Sequence, residues 1–134
     1  MKKKFIRLFF IMCVLVLAAG CATKTYDTAP AKQLSPAEQK EQAYEIFKQI
    51  LELTDAPERQ ENLPQIKKLY RQIIDTYPDV GLAQESYLRL VLLAKEENSP
   101  SGDKEAAELY QEFAEKYPDS RLRKVIENEL KSNG

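Results

Sequence analysis

The side chains of this chain that could carry out chemistry are few, and almost all of them are carboxylates. The 134 residues include 21 acidic residues and no histidine, and the two cysteines are Cys13 and Cys21. Without histidine, Ser-His and Cys-His nucleophiles and histidine-containing zinc sites are excluded. The four glycines do not form a phosphate-binding loop. The composition therefore leaves paired carboxylates as the one catalytic arrangement to consider.

Paired carboxylates are used in glycoside hydrolysis. The nearest candidates are Glu96-Glu97 and the series Glu105, Glu108 and Glu112. They fall on polar helix faces beside lysines, where ordinary solvated charge is the simpler explanation. We therefore expect no enzyme, no catalytic residue, no metal site and no cofactor. A cell-wall glycan enzyme is the least favoured alternative.

The N-terminus has the order of an export signal. Cationic residues come first, at positions 2, 3, 4 and 7, and an apolar run over residues 8–19 follows. This run is shorter than the roughly 20 apolar residues that a membrane-spanning helix needs. The sequence thus predicts a signal peptide over residues 1–20. Residues 21–34, which have no apolar period, are predicted to form a flexible stalk.

The segment Leu17-Ala18-Ala19-Gly20-Cys21 resembles the lipobox of bacterial lipoproteins. The resemblance implies cleavage after Gly20, a diacylglycerol thioether on Cys21 and an acylated amino group on that residue, with palmitate as a typical chain. Membrane lipid is then a partner. The absence of Asp at position 22 implies the outer membrane, facing the periplasm, in a Gram-negative host, and the cell membrane in any other host. An ordinary secretory signal or an uncleaved anchor is the alternative.

Removal of residues 1–20 would change the charge of the chain. Four cations and no acid lie in that segment, so the remainder carries a net charge of −5. An acidic domain lacks the clustered basic face that nucleic acid requires, and we expect no nucleic-acid partner. Cys13 would leave with the signal. Because Cys21 alone remains, no intrachain disulfide is expected.

A six-residue pattern occurs twice in the chain, at an offset of forty residues. The two copies are Leu69-Tyr70, Tyr77-Pro78-Asp79 and Leu82, and then Leu109-Tyr110, Tyr117-Pro118-Asp119 and Leu122. Such self-similarity is typical of helical repeat arrays. In each copy the proline ends one helix, and the following aspartate is placed to cap the next. The pattern predicts two tight turns between antiparallel helices.

The hydrophobic periods predict an all-α fold of about five helices. A capping-box sequence, Ser35-Pro36-Ala37-Glu38, predicts the start of the first helix. Residues 55–63 are interpreted as a loop that ends near Pro64. The predicted helices cover residues 36–54, 64–77, 82–97, 103–117 and 120–132. The third is apolar nearly all round, which predicts packing on more than one side. The domain spans residues 35–132, with units at about 36–78 and 79–118 and a capping helix at 119–132.

The second helix of each unit resembles the tetratricopeptide repeat (TPR) signature, in which a small residue precedes an aromatic by four and a proline by twelve. These residues are Ala106, Tyr110 and Pro118, and, with a larger first residue, Ile66, Tyr70 and Pro78. The pattern is similar to bacterial envelope lipoproteins with such repeats, including the assembly lipoprotein BamD and the Tol-Pal-associated repeat protein. The resemblance implies a short TPR-like helical-hairpin array that docks an envelope protein.

In such arrays the first helix of each unit lines the concave, partner-binding surface. The residues that this implies are Glu85, Arg89, Leu92 and Leu93 from the third helix, with Gln42, Ile46 and Gln49 from the first. The alternative is that Leu92 and Leu93 are core residues and that Glu85 and Arg89 form only an exposed helix pair. Two units are fewer than the three normally needed for stability, so a partner or a homodimer is expected. A self-associating structural lipoprotein without a specific client is the alternative function.

Overall fold

The computed structural model describes residues 34–132, which form five α-helices and contain no β-strand. The helices are α1 (Pro36–Asp55), α2 (Arg59–Thr76), α3 (Gly81–Glu96), α4 (Pro100–Lys116) and α5 (Leu122–Lys131). The predicted all-α array of helical hairpins is confirmed. Within the described residues, no helix has both the length and the hydropathy to cross a membrane. The predicted signal peptide, the lipidated Cys21 and nearly all of the stalk lie outside these residues.

The first helix begins where the sequence predicts it, at a capping box. The Glu38 amide donates to Ser35 Oγ at 3.3 Å, and the Ser35 amide donates to Glu38 Oε2 at 2.8 Å. Pro36 takes the first helical position, where a missing amide hydrogen has no cost. These bonds satisfy two amides that the helix itself leaves without partners. The buried stripe of α1 then packs on α2.

The second helix begins five residues earlier than predicted, and this corrects the proposed loop over residues 55–63. It begins at Arg59 and contains Pro64 in its interior. The Asn62 amide donates to the Glu58 carbonyl at 3.0 Å, so the helical bonds are already present before the proline. Leu63 packs against the core, and this contact offsets the helix bond that Pro64 cannot donate. Pro64 thus lies inside α2 near its start and does not mark its first residue.

The two Tyr-Pro-Asp segments form turns with the same backbone geometry. Tyr77 has a φ of −129° and Tyr117 a φ of −130°, and each residue ends its helix. The Tyr77 amide donates to the Ile73 carbonyl at 2.9 Å, and the Tyr117 amide donates to the Phe113 carbonyl at 2.8 Å. The sequence repeat is therefore also a repeat of structure.

The aspartate of the first turn does not cap the following helix, contrary to the prediction. The N-cap of α3 is Val80, which makes no side-chain cap, and Asp79 is exposed. The Val80 amide donates to the Tyr77 carbonyl at 3.0 Å. This hydrogen bond closes the turn before α3 begins, so Asp79 lies within the turn and not at the N-cap position. Asp119 of the second turn does not cap α5 either, because the N-cap there is Arg121. Ser120, the counterpart of Val80, accepts at its Oγ from the Leu122 amide at 3.2 Å, and α5 begins two residues later than predicted.

The fourth helix begins at Pro100, three residues before its predicted start at residue 103. Ser99 is the N-cap, and its Oγ accepts from the Gly102 amide at 3.0 Å. A Cβ atom at Gly102 would lie 2.2 Å from the Ala94 carbonyl oxygen. Glycine therefore allows the start of α4 to approach the end of α3 closely.

The third helix is central to the array, because it contacts α2, α4 and α5. Tyr87 of α3 is fully buried, and its ring lies 5.5 Å from that of Phe113 and 6.1 Å from that of Tyr117, both edge-on. Edge-on aromatic pairs of this kind add to the stabilisation from burial. The prediction that α3 is packed on more than one side is confirmed.

Candidate protein-binding groove

A pocket of about 120 Å³ lies between α1, α2 and α3, and we call it the α1–α3 groove. Its lining residues are Thr54 from α1, Arg59, Ile66 and Tyr70 from α2, and Arg89, Leu92, Leu93 and Glu96 from α3. The groove exists because α1 packs mainly on α2, which leaves a space between α1 and α3. The buried residues Ile66 and Tyr70 form its floor.

The leucines of the groove come from the part of α3 that faces away from Tyr87. Leu92 and Leu93 are both half-buried, whereas the core face of the same helix is fully buried. Leu93 packs in part against the hydrophobic core, and Leu92 is not among the core contacts. The two leucines thus differ: Leu93 supports the fold from the wall of the groove, while Leu92 faces the groove with little support from the core.

Tyr70 places a polar group on the floor of the groove. Its side chain is buried, and burial raises the pKa of its hydroxyl, with Arg89 and Glu85 close enough to act on it electrostatically. Among the residues that the structure describes, the hydroxyl has no hydrogen-bond partner, and it is not sealed from solvent. A hydroxyl in this situation is available to a ligand that enters the groove.

Two ion pairs flank the groove. Arg89 Nε donates to Glu85 Oε1 at 3.0 Å, one helical turn apart on α3. Arg59 Nη2 donates to Glu96 Oε2 at 3.0 Å and joins the start of α2 to the end of α3. Both pairs are largely exposed to solvent, so each contributes little to stability. Their charges can be shared with a partner at small cost.

The predicted contribution of α1 to this surface needs correction. Ile46 is 8% exposed and belongs to the core, on the same stripe as Ala43 and Ile50. Gln42 Oε1 accepts a hydrogen bond from the Tyr77 hydroxyl at 2.8 Å, and Gln49 is exposed outside the groove. The helical phase of α1 directs Ile46 towards α2, so it cannot reach a partner.

The structure brings Arg89, Leu92 and Leu93 together in one pocket, and Glu85 lies beside them through its bond to Arg89. A role for these residues in binding stays a prediction. The remaining lining residues, Thr54, Arg59, Ile66, Tyr70 and Glu96, are not among the predicted binding residues. Arg59 belongs to the segment predicted to be a loop. Tyr70 has the spacing of a core residue, and the structure shows that it is buried and also lines the groove. No local signal in the sequence distinguishes a floor residue from a core residue.

Exposed apolar side chains occur on α1 and on α5. The large hydrophobic side chains that are exposed among the described residues are Tyr44 and Leu51 on α1 and Val125 on α5. A second pocket joins Leu92 and Glu96 of α3 to Glu129 of α5 and to Ser132, which directly follows that helix. Leu92 therefore borders both the α1–α3 groove and this second pocket.

Of the carboxylates considered as catalytic, Glu96, Glu97, Glu105 and Glu112 are engaged in ion pairs with α2, and Glu108 pairs with Lys104 within α4. Lys67 Nζ lies 2.6 Å from Glu97 Oε1 and 3.0 Å from Glu105 Oε2. Arg71 Nη1 donates to both oxygens of Glu112 at 2.8 Å. We call these contacts, which join α2 to the end of α3 and to α4, the α2–α4 seam. In the described part of the chain no cluster of acidic residues, histidine or cysteine could hold a metal ion.

Electrostatics keep the seam charged near neutral pH. Partial burial raises the pKa of Glu112, but hydrogen bonds from Arg71 and Tyr87 outweigh it, and the net pKa is lowered. The Tyr87 hydroxyl donates to Glu112 Oε1 at 2.6 Å. Burial and this bond raise the pKa of Tyr87 far above its usual range. A carboxylate held ionised in this way suits a structural ion pair better than a general acid.

Comparison with known proteins supports the repeat architecture. A family model for the tetratricopeptide repeat matches residues 85–120, which cover most of α3, all of α4 and the second Tyr-Pro-Asp turn. No curated protein and no solved structure matches the chain. The first unit carries the same turn geometry forty residues earlier. The described residues thus form a TPR-like helical array, an architecture that serves as a scaffold for protein–protein interaction and is typically non-catalytic.

Proposed function

We propose that this chain is a lipid-anchored scaffold of the bacterial cell envelope and that its α1–α3 groove docks a segment of an envelope protein. The observation that carries the docking surface is the composition of the groove. It combines a weakly supported apolar residue, Leu92, with the accessible hydroxyl of Tyr70 and two exposed ion pairs. An apolar surface with a few convergent polar groups is typical of binding sites.

The location follows from the sequence of the N-terminus. The cationic start, the apolar run and the Leu17–Cys21 segment support export and acylation at Cys21, and the stalk before Leu34 would hold the domain away from the lipid. In a host with two membranes, the residue after Cys21 supports sorting to the outer membrane, with the domain in the periplasm. In a host with one membrane, the same anchor would hold the domain at the cell surface.

Photocrosslinking at Leu92 tests the docking surface. The full chain is expressed with a photoreactive amino acid in place of Leu92, irradiated in intact envelopes, and compared with the same residue in place of the exposed Lys104 on α4. We expect one discrete adduct with another envelope protein from position 92 and none from position 104. Equal adducts at both positions, or none at position 92, would contradict the groove. An adduct with this chain alone at position 92 would favour a structural lipoprotein without a client.

Replacement of Cys21 tests the anchor independently of the groove. Cys21→Ser is expected to abolish incorporation of radiolabelled palmitate and to release the chain from the membrane fraction. Cys13→Ser is the matched control, because it lies within the predicted signal, and it should leave both properties unchanged. Continued membrane attachment of Cys21→Ser would refute acylation at this residue.

A further inference from the structure

The exposed side of α1 carries a second apolar surface that is separate from the α1–α3 groove. Tyr44 is 52% exposed and Leu51 is 45% exposed. They lie seven residues apart, which is two helical turns, so they project from the same side of α1. Neither residue lines the groove, and the half-buried Phe47 lies between them. Tyr44, Phe47 and Leu51 thus form an apolar stripe on the outer side of α1.

Charges of opposite sign lie at equal distances from this apolar pair. Lys40 precedes Tyr44 by four residues, and Asp55 follows Leu51 by four residues, so all four share one stripe of α1. Lys40 and Asp55 are both exposed, and neither forms an ion pair with any residue that the structure describes. Along the helix, the stripe therefore carries one positive residue, two apolar residues and one negative residue, in that order.

We propose that this stripe binds a second copy of the chain, with the two α1 helices antiparallel about a two-fold axis between Phe47 and Lys48. In this arrangement Tyr44 packs on the partner's Leu51, and Lys40 faces the partner's Asp55. Each contact occurs twice, as a two-fold interface requires. A parallel arrangement would instead place Lys40 against the partner's Lys40. The charge order thus selects the antiparallel pair.

Two further features set the strength of the dimer. Lys48 lies beside the axis, but Glu45 Oε1 is 2.7 Å from its Nζ, and the ammonium lies 5.7 Å from the centre of the Tyr44 ring, so its charge is already compensated. Glu41 and Glu52 lie on the neighbouring flank, where Glu41 of each copy comes close to the partner's Glu52 and repels it. One pair of helices also buries less than the roughly 1,200 Å² of a stable interface. The dimer is therefore weak and forms at high local concentration.

Photocrosslinking at position 48 tests the dimer on the full chain in membranes. A photoreactive amino acid in place of Lys48 lies near the proposed axis, and the same residue in place of Lys68, which is exposed on α2, is the matched control. We expect an adduct of twice the chain mass from position 48, composed only of this chain, and none from position 68. No adduct at position 48, an adduct with a different protein, or an equal yield at position 68 would overturn the proposal.

Charge reversal then tests the orientation. Lys40→Glu and Asp55→Lys each place like charges at both ends of the interface, and each should lower the yield of the dimer adduct by about tenfold, the effect of roughly 1.4 kcal/mol. The double variant restores opposite charges and should restore the yield. Failure of the double variant to recover would overturn the antiparallel register. Far-ultraviolet circular dichroism confirms that each variant is folded, and crosslinking at position 92 reports on the groove separately.

Discussion

Charged side chains occur both at the α1–α3 groove and at the α2–α4 seam, but the two regions use them differently. At the seam, Lys67 and Arg71 of α2 reach acidic residues on α4, and Glu112 also receives a hydrogen bond from the buried Tyr87. At the groove, Arg89 pairs with Glu85 of its own helix, one turn away. The seam pairs therefore connect helices; of the two groove pairs, Arg59–Glu96 also connects two helices, whereas Arg89–Glu85 connects none.

The difference indicates which surface stabilises the helical array and which is available to a partner. Separation of two helices breaks a seam pair, so the pair opposes unfolding of the array. The Arg89 pair can open without moving any helix, and Leu92 beside it has little contact with the core. Stability should therefore depend on the seam, and partner binding should depend on the groove. Variants of Tyr87, Tyr117, Glu112 and Arg89 test this separation.

The largest effect is expected from Tyr87, which joins the seam to the aromatic core. Tyr87→Ala should lower the free energy of unfolding by about 3–5 kcal/mol, because it leaves a cavity beside Phe113 and Tyr117. Leu92→Ala in the groove should lower it by less than about 1 kcal/mol. Chemical denaturation of the two variants measures both values. Equal losses would show that Leu92 is a core residue and would remove the distinction between the two surfaces.

The second effect concerns the hydroxyl that links the two turns. Tyr117 Oη donates to the Pro78 carbonyl at 2.7 Å, so the second Tyr-Pro-Asp turn is bonded to the first. Tyr117→Phe keeps the ring in the aromatic cluster and removes only this bond. We expect a loss of about 1 kcal/mol in the free energy of unfolding. Asp79→Ala, which removes no cap, should be nearly neutral. A larger loss for Asp79→Ala would mean that the aspartate supports the turn after all.

The third effect is the pH dependence of the seam. The pKa of Glu112 is lowered in the folded state, so its contribution is present above its unfolded pKa, about 4.3, and is lost as the pH falls through the folded value. The pair is partly exposed, and solvent screening limits its contribution to about 0.5–1 kcal/mol. Between about pH 5 and pH 3, Glu112→Gln should therefore lose less stability than the unchanged chain.

Glu108→Gln is the control for this experiment. Glu108 lies on the same helix, and its carboxylate is 3.7 Å from Lys104 Nζ in an exposed pair within that helix. Its replacement should leave the pH dependence of stability unchanged. If Glu112→Gln and Glu108→Gln follow the same curve, the seam does not contribute through the charge of Glu112.

Individual residues show how much of the fold and of the groove could be predicted from the sequence. Pro78 and Pro118 act locally, since a proline restricts the residue before it, and both turns were placed correctly. Pro64 acts through context, because an early proline is tolerated when the surrounding turn packs on the core. The excess of apolar residues on α3 indicated Leu92 and Leu93. Neither the opening of the groove nor the position of Ile46 could be predicted, because both depend on how α1 packs against α2.

The smallest change in stability is expected at Arg89, where the predicted role in binding is tested most directly. Its pair with Glu85 is an exposed pair within one helix, worth about 0.3–0.5 kcal/mol, so Arg89→Ala should hardly change the denaturation midpoint. The same variant should reduce the adduct formed from position 92, because Arg89 lines the groove that the partner would enter. Arg71→Ala at the seam should show the reverse, with reduced stability and an unchanged adduct when the folded fraction is matched. If both variants lower stability equally and neither changes crosslinking, the groove is part of the scaffold and not its binding surface.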